Sequence, residues 1–175
     1  MTKLLIGFTG EARSGKDTAA AQLKSIHGFM LYAFAQPIKL ACREIFGWGE
    51  QHVNGDLKEI TDPLFNISPR EAMQTLGTQW GREMINQEIW LQRAKHEMMT
   101  NKLLAVTDVR FNNEAELIKS RGGIIIKISR NDKAQVLSHK SESGISSNLI
   151  DFHIDNNGSI IELNNKIDKV INSHE

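Results

Sequence analysis

The stretch KLLIGFTGEARSGKDTAA, residues 3–20, decides the fold. It begins with a nearly continuous apolar run closed by Gly10, the pattern of a strand buried on both faces of a parallel sheet. Further on, Ala19, Ala20, Leu23 and Ile26 recur at helical spacing until Gly28 stops them. Between strand and helix lie Gly10, Gly15 and Lys16, at the G-x-x-x-x-G-K spacing of a phosphate-binding loop. Such glycines let the backbone wrap so that its N–H groups point at phosphate oxygens. The helix N-terminus adds partial positive charge, and the lysine reaches the β- and γ-phosphates. A purely structural glycine turn shares the spacing, but the flanking strand and helix favour phosphate binding. Asp17 stands where a serine or threonine is expected. Either its carboxylate holds Mg²⁺, directly or through water, or it only favours the first helical turn through the dipole. Thr18, one place later, is the alternative source of a hydroxyl for phosphate or metal.

The remainder of the chain is ordinary globular material. With 175 residues, 40% of them hydrophobic and 24% charged, it can bury one sizeable core, so one compact domain is expected. Basic and acidic residues balance at 21 each, which leaves no net field for nucleic acid or an anionic membrane; an anionic ligand must be held by local groups. A single cysteine, Cys42, excludes an internal disulfide and reads as a buried small hydrophobe. The histidines lack metal-ligand spacing. Residues 3–9 are too few for a signal peptide or a membrane span, and a soluble protein of the reducing cytoplasm is expected.

A second apolar run, residues 29–34, precedes Pro37, after which Ile38, Leu40, Ala41 and Ile45 suggest a helix. Residues 47–67 show no clean period and read as loop or a substrate-side insertion. In SPREAM, Ser68, Pro69 and Glu71 are N-cap, first-turn proline and capping-box glutamate of a helix running towards Trp80. A helix over 86–99 carries Trp90, Ala94 and Met98 on one face. LLAVTDV, residues 103–109, is the next buried strand, with Asp108 and Arg110 at its carboxyl end, where open α/β sheets place their chemistry. Residues 112–123 read as a helix closed by Gly122 and Gly123, IIIKI (124–128) as another strand, and DFHI (151–154) as a short last one. Ser159 and Glu162 cap a final helix that aligns Ile160, Leu163, Ile167 and Val170. Alternating strands and helices predict an α/β fold, a parallel sheet of about five strands with helices on both faces.

The segments SGKDTAA, YAFAQPIK, QTLGTQWGREMINQEIWLQR, TDVRFNNEAELIKSRGG and NNGSIIEL, in this order, resemble the bacteriophage deoxynucleoside monophosphate kinases, relatives of the adenylate-kinase group. The resemblance runs over nearly the whole chain, which is shorter than some members. A glycine-lysine-aspartate-threonine loop is usual there, so Asp17 marks a kinase of small phosphorylated metabolites. Phosphomevalonate kinases share that ending. The resemblance implies one P-loop NTPase domain over residues 1–175. Within it, an acceptor segment spans about 36–100, and a lid at about 130–147 closes over ATP to exclude water. It implies transfer of the ATP γ-phosphoryl group, with Mg²⁺, to a deoxynucleoside 5′-monophosphate in the cytoplasm of a phage host. It admits a homodimer, and neither nucleic acid nor membrane is a direct partner.

By similarity, Gly10, Arg13, Ser14, Gly15, Lys16, Asp17 and Thr18 hold the ATP phosphates, with Mg²⁺ at Asp17 or Thr18. Asp108 orients magnesium-bound water or a substrate-side group. Arg110 contacts phosphate through its planar fork, or else pairs with Asp108 or a helix acid. Gln74 and Arg82 belong to the acceptor segment; eight residues apart, they share roughly one face if the helix survives Gly77 and Gly81. Trp80 and Trp90 either stack on a base or pack in the core. Lys39 either steers the monophosphate or is an exposed helix lysine. Arg130 is the lid-side phosphate contact, and His139, Ser141 and Glu142 match the family's lid or are simply solvated. Asn156 and Gly158 lie beside adenine, or form a turn before a helix cap. Asn165, Lys166 and Asp168 imitate a guanine-recognition motif, N-K-x-D, but inside the terminal helix. Two other functions are consistent with the loop: a kinase of phosphomevalonate or dephospho-coenzyme A, and a nucleotide-binding switch. The candidate acceptor segment and lid argue against the switch.

Overall fold

The computed structural model describes residues 3–131 and 144–174. Its five strands are β1 (Leu4–Thr9), β2 (Met30–Tyr32), β3 (Leu103–Val106), β4 (Ile124–Ser129) and β5 (Phe152–Asp155). They form one sheet in the order β2-β3-β1-β4-β5, and every pairing is parallel. The expected sheet is therefore present, with β1 at its centre and all six of its residues buried. The chain packs into two compact units, one drawn from Met1–Ala33 and Ala94–Glu175, the other formed by Phe34–Arg93.

In the first unit, Ile6 and Phe8 pack with Ala19, Ala20 and Leu23 of α1 (Lys16–His27) and with Leu163, Ile167 and Ile171 of α7 (Ile160–Asn172). Each leucine, isoleucine or phenylalanine side chain among them contributes about 1.5–3 kcal/mol when fully buried. Ile26 and Ile160, counted on those faces from spacing, are exposed. In α1 the inward stripe follows Ala19, Leu23 and His27, and His27 Nε2 meets Asp168 Oδ1 of α7 at 2.9 Å, which leaves Ile26 outside. Asp168 is thereby part of a helix–helix contact. The other face of β1 carries α6 (Asn112–Ser120): a Cβ at Gly7 would lie within 3.0 Å of Ile118, Ile125 and Val109.

In the second unit, α2 (Gln36–Phe46), α3 (Glu50–Val53), a 3-10 turn (Asp56–Glu59) and α4 (Pro69–Gln74) surround a small core of Cys42, Trp48 and Ala72. Residues 47–67, expected as loop or a substrate-side insertion, thus hold two short helical pieces. Cys42 is fully buried, and burial pushes its thiol up. The SPREAM cap forms as expected: Ser68 Oγ accepts from Glu71 N at 3.3 Å, and Glu71 Oε2 accepts from Ser68 N at 3.0 Å. The helix does continue through Gly77 and Gly81, but as a π-helix, Thr75–Ile85, with i→i+5 bonding. There Trp90 Nε1 donates to Gly77 O at 2.8 Å, and a Cβ on Gly81 would lie 2.7 Å from the Trp90 ring. After it comes α5 (Ile89–Thr100), in which Trp90, Ala94 and Met98 are buried as the spacing predicts. Among the described residues no helix is long and apolar enough to cross a membrane.

The second unit's aromatic layer depends on one carboxylate. Phe46 stacks on Trp48 with ring centroids 4.2 Å apart, and Trp48 Nε1 donates to Asp62 Oδ2 at 2.7 Å. Asp62 Oδ1 also accepts from Leu64 N at 2.8 Å. The indole bond, with the backbone bonds behind it, holds the Asp62 carboxyl below the usual carboxylate range. A depressed folded-state value stabilises the fold above the ordinary aspartate range and loses that contribution as pH falls through the depressed value. Urea unfolding at neutral and acid pH should therefore show a shallower acid loss of stability for Asp62→Asn than for the wild type. An unchanged pH slope would remove Asp62 from the acid response.

Candidate functional site

The loop between β1 and α1, expected to bind phosphate, owes its shape to three backbone conformations. Gly10 (φ 137°), Arg13 (φ 63°) and Gly15 (φ 108°) all lie in the positive-φ region. At Arg13 this region costs an L-residue of order 1–3 kcal/mol, a strain that concentrates at ligand sites. A Cβ on Gly10 would strike the carbonyl of Ile128, and one on Gly15 would strike the Asn156 side-chain amide. The obstacle is backbone at Gly10 and a side chain at Gly15, and the φ at both positions disfavours any residue but glycine. At the start of α1, Lys16 Nζ donates to Gly10 O at 2.7 Å and also to Glu11 O, which draws the ammonium across the loop.

A distant residue closes the loop. Asn156 is buried; its Nδ2 donates to Ser14 O at 2.9 Å, while its backbone N donates to Ser129 O at 2.7 Å. Its amide is thus committed to the loop backbone. The cap reading of residues 156–159 holds as well, since Ser159 Oγ accepts from Glu162 N at 3.2 Å. Gly158 sits against the Glu162 carboxylate.

A cavity of ≈ 240 Å³ in the first unit adjoins the loop. Gly10, Glu11, Lys16, Asp108, Arg110 and Lys127 are among its walls. The third strand ends at Val106, three residues short of the expected limit, so Asp108 and Arg110 lie on the connection to α6 rather than on the strand itself. That connection is held by backbone. Val109 N donates to Phe8 O at 3.0 Å, and buried Glu114 accepts from Arg110 N at 2.8 Å and Phe111 N at 3.2 Å through Oε2. Sequence reasoning did not single out Glu114, although its place in the first turn of a predicted helix is a capping signal. Lys127 was also missed, and its signal was a lone lysine in a run of isoleucines.

Gly10, Lys16, Asp108 and Arg110 are therefore brought together at one cavity. Asp17 is exposed and Thr18 half-buried in the first turn of α1. No group of three or more His, Cys, Asp or Glu that could hold a metal ion occurs among the described residues. A magnesium ion carried by nucleotide phosphates uses only one or two protein oxygens. The hard donors Asp17 and Thr18 fit that requirement. Within the second unit, Lys39 Nζ donates to Asn54 Oδ1 at 2.5 Å, Gln74 is exposed, and Arg82 is half-buried on the π-helix. The wider winding alters the shared face expected for residues eight apart on an α-helix. Trp80 is exposed, whereas Trp90 is buried with its indole N–H on Gly77 O, a packing position. Arg130 is exposed just beyond β4. His139, Ser141, Glu142 and most of the expected lid lie outside the described residues.

Comparison with known proteins gives these positions a context. A protein of Acanthamoeba polyphaga mimivirus, provisionally named a deoxynucleotide monophosphate kinase, is 34% identical over 94% of this chain and 94% of its own. The deoxynucleoside-5′-monophosphate kinase of Escherichia phage T5 is 32% identical over 48% of this chain and 37% of its own. Among solved structures, the shikimate kinase of Aquifex aeolicus superposes with a TM-score of 0.56 at 14% identity, covering 98% of both chains, which supports the P-loop kinase fold. The deoxynucleotide monophosphate kinase family model matches residues 48–167. On that match and the near full-length viral relative, the chain belongs to the deoxynucleotide monophosphate kinase family and is a kinase.

Proposed function

We propose that this protein transfers the γ-phosphoryl group of ATP, with Mg²⁺, to the phosphate of a deoxynucleoside 5′-monophosphate. The observation that carries the reading is the loop: three positive-φ positions and Lys16 at the head of α1, opening on a cavity walled by Asp108 and Arg110. Backbone amides of residues 10–18, among them those of Arg13 and Ser14, together with Lys16 bind the donor phosphates. Asp17 or Thr18 supplies a protein oxygen to the magnesium, which when bound neutralises charge between the two nucleotides. Gln74, Arg82 and Lys39 are carried as acceptor-side residues on the family resemblance, and Arg130 as the lid-side contact, with the lid over about 130–147 closing on ATP to exclude water. We assign Asn156 to the loop rather than to adenine, because its amide bonds Ser14 O.

The chemistry asks for no strong base. The acceptor phosphate has a second pKa near about 6 and is a dianion at neutral pH. One of its oxygens attacks the γ-phosphorus in line, the bond to the bridging β–γ oxygen breaks, and ADP leaves with that oxygen. The protein's part is to hold two polyanions in line and offset the charge between them. Arg110, on a turn fixed by Glu114, presents a planar cation to a phosphate there.

Incubation with ATP, Mg²⁺ and a panel of deoxynucleoside monophosphates, ribonucleotides, phosphomevalonate and dephospho-coenzyme A should yield diphosphate from one or more deoxynucleotides. Product from only the last two, or ATP hydrolysis alone, would overturn the reading. Lys16→Ala should lower kcat by about 10²–10³, the scale of losing one preorganised group that stabilises developing charge. Its circular dichroism should remain that of the wild type. Asn156→Ala leaves the buried Ser14 carbonyl unpaired. It should cost about 1–2 kcal/mol in urea unfolding and raise KM for ATP, and an unchanged KM would separate the clamp from nucleotide binding.

A further inference from the structure

The strand β4 reads Ile-Ile-Ile-Lys-Ile-Ser, and it is an interior strand, paired with β1 on one side and β5 on the other. Interior strands of parallel sheets are covered on both faces and take apolar residues. Lys127 breaks that rule. Ile126 and Ile128 are fully buried in the core shared with α1 and α7. Side chains alternate along a strand, so Lys127 between them belongs to the opposite face, the one carrying α6. It is exposed, and it pairs in register with Thr9, the residue immediately before Gly10. It lines the same cavity as Asp108 and Arg110. Its ammonium has no hydrogen bond or ion pair to any other of the described residues. An isoleucine would suit the strand better on propensity and packing alone.

The faces sort the cations by task. The N-terminus of α1 and the phosphate loop's turn into it belong to the α1 side of the sheet, where the proposed donor phosphates bind. Lys127 and the turn bearing Asp108 and Arg110 belong to the α6 side. We propose that Lys127 contacts the acceptor, its ammonium holding an oxygen of the monophosphate in this cavity. The inference rests on the kinase reading above and adds a substrate contact to it. Lys127 forms an ion pair with the acceptor dianion before transfer and keeps it on the resulting diphosphate; it neither gains nor loses a proton.

Steady-state kinetics with the deoxynucleotide that the wild type phosphorylates best, varied against saturating ATP and the reverse, test the contact. Lys127→Met removes the charge and keeps most of the stem. It should raise KM for the acceptor about 10- to 100-fold, the span for loss of one charge-assisted hydrogen bond, with KM for ATP nearly unchanged. Lys127→Arg, which keeps the charge, should recover most of the acceptor affinity. Both variants should melt at the wild-type temperature. An unchanged acceptor KM in Lys127→Met, or a rise confined to ATP, overturns the assignment while leaving the kinase reading intact. A wild type that turns over no deoxynucleotide removes the kinase reading and this contact with it.

Discussion

The close approach of Gly10 to the carbonyl of Ile128 is the constraint on which the functional end of the sheet depends. It presses the start of the β1–α1 loop against the end of β4, with no room for a side chain between them. Because β1 is the central strand, fixing its exit fixes the loop relative to β3 on one side and β4 on the other. Lys16, Asp108 and Lys127 then reach one cavity from three different segments. Had the loop left the strand at a wider angle, the lysine at the head of α1 and the β3–α6 turn would face different solvent.

The irregular segments near that cavity are held by side chains bonded to backbone. Asn156 takes the carbonyl of Ser14, and Glu114 takes the N–H groups of Arg110 and Phe111. In the second unit, Trp90 takes the carbonyl of Gly77 within the π-helix by the same device. Backbone polar groups outside helices and strands need partners wherever water is excluded. Buried amide, carboxylate and indole groups provide them and set the geometry in doing so. An oxygen pinned this way does not have to be ordered again when a ligand arrives.

How much was legible follows from sequence distance. Strand, loop and first helix could be read because residues 3–20 carry all their determinants in one run, and Ser68 with Glu71 announced its cap for the same reason. The Asn156 clamp was not legible, because its partner lies 142 positions away and no local pattern marks the pair. Lys127 was not legible, because a lone lysine in a run of isoleucines reads the same whether it faces a cavity or bulk solvent. The π-helix escaped because helical spacing assumes a constant winding, whereas Gly77 and Gly81 here meet an indole that comes from the next helix. Trp90 illustrates an ambiguity that sequence leaves open: an aromatic ring at helical spacing reads the same whether it faces a ligand or a glycine.

The Asn156 clamp also bears on the order in which the loop's contacts form during synthesis. The loop lies between β1 and α1, but the amide that closes it leaves the ribosome only after some 140 further residues. The α7 side chains that cover α1 and the adjoining face of β1 come later still. A nascent chain shorter than this carries the full loop motif without its fastening. The loop therefore gains its side-chain fastening only after β5 has been synthesised.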